Sequence, residues 1–132
     1  MDIAPTLLEV AGASYPSEYA GHEVYPVMGR SMMPYLQGNA VVVRDDEDAV
    51  SWELLGYRAI RQGPWKATWL PKPLGRGDWE LFNLVADVSE RDDLATVDPE
   101  RLRELIGLWE DYSRSVGVVL PEGGMELELE ER

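Results

Sequence analysis

The chain has 132 residues, of which 45% are hydrophobic and 28% charged, a composition that fits one globular domain and at most two. Its net charge of −13 excludes electrostatic affinity for nucleic acid or an anionic membrane, because each phosphate contact calls for Lys or Arg and the bulk field opposes encounter. With no cysteine there is no disulfide framework, thiolate metal site or cysteine nucleophile, a lack that identifies no compartment. A run of ~18 apolar residues is missing, as is a basic-then-apolar N-terminal stretch, so no membrane span or export signal is expected within these residues.

In chain order, Asp2 to Ala11 reads as a short helix, with Asp2 at its start, Pro5 in the first turn and Gly12 at the stop. Ile3, Leu7, Leu8, Val10 and Ala11 cover much of its circumference, which predicts a mostly buried helix, yet the residues that follow offer little to bury it. Ser14-Tyr15-Pro16 and Ala20-Gly21 read as loop. Gly29 to Gly38 suggests a second short helix, with Ser31 as cap and Pro34 in the first turn. Ala40 to Val43 is a short β-branched run, and the acidic stretch Asp45-Asp46-Glu47-Asp48 after it marks an expected boundary.

From Trp52 to Leu84 the chain reads as an antiparallel meander. Trp52 to Ile60, Trp65 to Leu70 and Trp79 to Leu84 are rich in aromatic and β-branched residues, and a further strand beginning at Ala49-Val50 is expected to merge with them. Gly63-Pro64 and the Pro- and Gly-bearing stretch Pro71 to Asp78 supply the turns. Alternation places Arg58, Ile60 and Gln62 on one face and Tyr57, Ala59 and Arg61 on the other, with Trp65, Ala67 and Trp69 opposite Lys66, Thr68 and Leu70. The apolar face needs a cover.

After the polar connector Val85 to Ala95, an amphipathic helix from Pro99 to about Val116 provides it. Leu102, Leu105, Ile106, Trp109, Tyr112 and Val116 recur at three- and four-residue spacing. Asp98 is the expected N-cap, Pro99 suits the first position, Glu100 complements the helix N-terminus and Gly117 closes the other end. Residues 121–132, rich in Glu, read as a disordered acidic tail.

Candidate chemistry is sparse. His22 is the single histidine and forms neither triad nor zinc site without partners. Asp45 to Asp48 lacks the spaced donors and glycine of a calcium loop, and reads as a solvated linker. The five Trp residues could stack on sugars or aryl groups, but they sit where a small sheet needs its core. Arg58, Arg61 and Lys66 are cations on strands, and Glu53 and Glu80 fall on neighbouring strands of the meander, with nothing to indicate a glycosidase pair.

Several phrases resemble the C-terminal end of bacterial arylsulfatases of the type I, formylglycine-dependent class. They are Asp2 to Gly12, Gly29 to Gly38, Trp52 to Arg61, Gly63 to Lys66, Trp79 to Leu84 and Asp87 to Ala95, and it is their order and spacing over residues 2 to 120 that make the match specific. The resemblance implies that residues 1–45 are the tail of an alkaline-phosphatase-like α/β domain and that 46–120 form a four-stranded antiparallel sheet against a C-terminal helix. It also implies calcium and a formylglycine for the parent enzyme. The C/S-x-P-x-R motif that would carry the nucleophile is missing, and Ser14-Tyr15-Pro16-Ser17-Glu18, the nearest approach, has Glu where Arg is required.

The expectation is therefore an α+β chain, a small antiparallel sheet of three to four strands on a C-terminal helix, preceded by short helices. Its expected role is structural, in an arylsulfatase (a sulfuric ester hydrolase), with the sheet lining one side of the substrate cleft. No catalytic, cofactor-binding or metal-binding residue is assigned. The expected partner is the remainder of the catalytic domain, with self-association through exposed apolar surface as the competing outcome and bacterial cytoplasm or periplasm both left open. The alternative is a stand-alone binding module with an aromatic sheet face, which an exposed, coplanar Trp pair would favour.

Overall fold

The computed structural model describes residues 1–120, and the expected acidic tail at 121–132 lies outside the described residues. Two compact units divide the chain, Met1–Asp45 and a second from Asp46 onward.

The first unit contains helix α1 (Ile3–Val10), a two-stranded hairpin of β1 (Glu18–Tyr19) and β2 (His22–Glu23), and one turn of helix, α2 (Met33–Leu36). Asp2 stands at the N-cap of α1, as expected, but its side chain makes no capping bond. Its own backbone is helical, and its carboxylate instead accepts from the Arg30 amide at 2.9 Å and from the Arg44 guanidinium at 3.0 Å and 2.5 Å. The Thr6 hydroxyl, buried, donates to the Asp2 carbonyl and accepts from the Met32 amide at 2.9 Å. These two polar residues fasten the following loop to α1, where a helix of eight residues has little packing of its own. Ser31 lies one residue before the N-cap of α2, which is Met32 and not Ser31 as expected, and its Oγ accepts from the Met33 amide at 3.1 Å.

Contrary to the expectation of burial, α1 exposes Ile3, Leu7 and Val10 by 67%, 62% and 64%. Their spacing of four and three residues puts them in one stripe. The Ala20-Gly21 loop is the turn of the β1–β2 hairpin, with both residues at positive φ, and Val41 and Val42 form no strand and lie exposed.

The second unit is a four-stranded antiparallel sheet in sequential order, β3 (Ala49–Leu54), β4 (Tyr57–Gln62), β5 (Trp65–Trp69) and β6 (Trp79–Asn83), with helix α3 (Pro99–Val116). The run expected as one strand from Trp52 to Ile60 is two strands joined by Leu55-Gly56, with φ of 57° and 84°. Two positive φ values make the tight hairpin turn whose twist suits flanking strands, and Asn-Gly is its usual sequence. A leucine there costs roughly 1 kcal/mol of left-handed strain. The signal missed was Gly56 itself, hidden inside an apolar run.

Register aligns Ser51, Ile60, Ala67 and Leu81 across the four strands. Ile60, Ala67 and Leu81 form the core with Leu105 and Trp109 of α3, and Leu102, Leu108 and Tyr112 pack around it. The helix begins where its cap chemistry dictates: Asp98 Oδ1 accepts from the Arg101 amide at 3.0 Å, and Gly117 ends it at φ 68°. None of the described helices is long and apolar enough to cross a membrane.

Candidate functional site

The aromatic residues of the second unit meet at one end of the sheet. Arg58 and Trp69 are paired across β4 and β5, and Trp69 and Trp79 across β5 and β6, so alternation puts all three on the face that α3 covers. Trp109 of α3 meets Trp79 edge to face, 5.7 Å between centroids and 64° between planes. Its indole N–H donates to the Trp52 carbonyl at 3.3 Å, tying the helix to edge strand β3. The Arg58 guanidinium lies 4.1 Å from the Trp69 ring centroid and 5.4 Å from that of Trp109. Its Nε is enclosed without an acceptor, and burial pulls the Arg58 pKa below its ordinary value, opposed by the charge of Glu53. Stacking on two indoles offsets part of that desolvation. Trp65, farther along the same face, carries Arg101 of α3 at 5.9 Å.

No coplanar, exposed Trp pair results. Trp65, Trp79 and Trp109 pack into or against the core, and Trp52, 42% exposed, lies on the sheet's other face. The aromatic residues thus hold helix to sheet.

The remaining candidates are scattered. His22 is exposed in β2 opposite Tyr19. Asp45, Asp46 and Glu47 are exposed, and no group of three or more His, Cys, Asp or Glu able to hold a metal occurs among the described residues. Lys66 is committed to Glu90, with Nζ 2.6 Å and 2.8 Å from its two carboxylate oxygens, and Arg61 Nε donates to the Gly63 carbonyl. Glu53 and Glu80 are not neighbours. They sit on the two edge strands, roughly 14 Å apart at three inter-strand spacings, and alternation puts them on opposite faces. Glu53 Oε1 accepts from the Gly56 amide at 2.6 Å, and Glu80 approaches Arg76 at 3.4 Å. The Trp65–Leu70 run of the expected meander already lay between them, and the Leu55-Gly56 turn adds a second strand.

Two acidic groups outside these candidates organise backbone. Asp87 Oδ2 accepts from the Asp92 and Arg91 amides at 2.9 Å and 2.6 Å, bonds that hold its carboxyl below the usual carboxylate range. In the first unit, the Arg44 hydrogen bond lowers the Asp2 carboxyl from 3.8 to about 2. A depressed carboxyl stabilises the fold above its unfolded pKa and ceases to do so as pH falls through the folded one. Asp2→Asn should therefore cost about 1–2 kcal/mol at neutral pH. The difference from the parent should shrink as pH falls from 3.8 toward 2, as urea unfolding at the two pH extremes would show.

No family model matches the chain. It is 39% identical over 120 residues to an uncharacterized sulfatase of Schizosaccharomyces pombe, a match spanning 90% of this chain and 22% of that protein. The likeness is therefore not confined to bacterial proteins. Among solved structures, a 2-O GAG sulfatase is 27% identical with a TM-score of 0.59, covering 87% of this chain and 24% of its own. A protein from a glycosaminoglycan-metabolism locus of Bacteroides thetaiotaomicron shares the fold at a TM-score of 0.65 and 22% identity, with 86% and 24% covered. The chain thus spans about a quarter of the length of the proteins it matches. In sequence and fold together the chain is similar to a C-terminal region of sulfatases.

Proposed function

We propose that this chain is the C-terminal structural region of an arylsulfatase, a sulfuric ester hydrolase whose nucleophile and metal ligands lie in the remaining polypeptide. The carrying observation is the disproportion of the match: 90% of this chain is accounted for by 22% of a sulfatase. The exposed Ile3, Leu7 and Val10 stripe supports the same reading, because an apolar helix face of this kind stabilises only when another element covers it. The remainder of the catalytic domain is that cover, and the sheet unit walls one side of its substrate cleft. Calcium and formylglycine belong to that remainder. Domain limits follow the same scheme, with 1–45 as the tail of the large domain and 46–120 as the sheet-and-helix region.

The test is a chimera. When the matching segment of the fission yeast relative is replaced by this chain, the product should be soluble and should unfold in one cooperative transition. Two separate transitions, or an insoluble product, would defeat the reading. The 132-residue chain alone should give no turnover of an aryl sulfate with calcium present. Robust turnover by it would overturn the placement of the chemistry.

A further inference from the structure

The β3–β4 hairpin ends in a turn with apolar side chains, closed by Glu53 Oε1, which accepts from the Gly56 amide at 2.6 Å. Leu54 and Tyr57 are cross-strand partners, Leu55 and Gly56 form the turn between them, and Trp52 shares the face of Leu54 one pleat away. Leu54 and Leu55 are 66% and 58% exposed. Solvent gives no reason for either, and Leu55 also occupies a left-handed backbone position that Asn or Gly adopts more readily. Strain kept at an exposed apolar side chain points to a role outside the fold of this unit.

We infer that the Leu54-Leu55 tip is an apolar anchor that inserts into the remaining polypeptide of a sulfatase, an inference that rests on the reading proposed above. The occupant follows from two observations. Relatives contain about four times as much polypeptide as this chain matches, which supplies a partner always present at equal stoichiometry. A second copy is disfavoured because each chain carries a net charge of −13 and the two would repel. Two adjacent exposed leucines suit a dry pocket rather than a polar rim.

Leu55→Asn separates the two contexts by sign. In the isolated chain it relieves the turn and should raise the unfolding midpoint by about 4 °C. In the chimera with the fission yeast relative it removes the anchor and should lower the midpoint. Leu54→Thr, which keeps a strand-compatible side chain, should leave the isolated chain unchanged and also lower the chimera. A rise in both contexts for Leu55→Asn, with no loss for Leu54→Thr, overturns the anchor while leaving the structural-region reading intact. A parental chimera that fails to unfold as one unit removes that reading and the anchor with it. A concentration-dependent dimer of the isolated chain that Leu55→Asn abolishes overturns the choice of occupant.

Discussion

Replacing Trp109 by alanine should cost about 3–5 kcal/mol, the range for truncating a large buried aromatic side chain, and should leave the second unit largely unfolded at 37 °C. Three losses coincide. Trp109 is 4% exposed in the core with Ile60, Ala67, Leu81 and Leu105, so its removal opens a cavity between α3 and the sheet. The edge-to-face contact with Trp79 disappears, and so does the donation to the Trp52 carbonyl that anchors the helix to β3. Arg58 then keeps only one of its two indole neighbours around an Nε that already has no acceptor. Trp109→Phe isolates these terms: it retains most of the buried area and should cost about 1–2 kcal/mol, chiefly from the lost N–H donor and a partial cavity. Guanidinium unfolding followed by far-UV circular dichroism checks both. A Trp109→Ala variant within 1 kcal/mol of the parent would mean that α3 is not the cover of this sheet.

The same residues show why some of the fold was legible in the sequence. Helix α3 announced itself three times, in the spacing of Leu102, Leu105, Trp109 and Tyr112, in Asp98-Pro99 before it and in Gly117 after it, and its limits are those expected. Local chemistry sufficed there because cap and periodicity point the same way. The β3–β4 turn was less legible because Leu55 is the wrong residue for its backbone, and a site that breaks the local rule erases the local signal. Asp2 starts α1 as expected, but the use of its side chain was not legible. It is a good cap by type, but a long-range partner 42 residues away, Arg44, holds the carboxylate more strongly than the first turn could. Exposure of the α1 stripe follows from hydrophobic pattern meeting no local partner, which periodicity alone registers as burial. The scatter of His22, Glu53, Glu80 and Lys66 required the strand order, since each residue type had a candidate role that only its neighbours could decide.

Leu105→Ala should be the second most damaging change, at about 2–5 kcal/mol. Leu105 is fully buried, as are Ile60 and Leu81, and Ala67 is the small member of that row. The alanine on the central strand is what lets the helix approach closely, so a leucine lost from the helix leaves space that no flexible neighbour can fill. Collapse is limited because both rows are fixed, one by the sheet ladder and the other by a helix pinned at Asp98 and Gly117. Leu105→Met, which conserves volume, should cost less than about 1.5 kcal/mol. Ala67→Leu should cost about 1–3 kcal/mol by the reverse error, since the added side chain must displace α3. Combining Ala67→Leu with Leu105→Ala should recover part of the loss, because neighbours sharing one cavity are not additive. Calorimetry of the four variants gives the answer directly: strict additivity of the double variant would show that Leu105 and Ala67 do not share a contact across the helix–sheet interface.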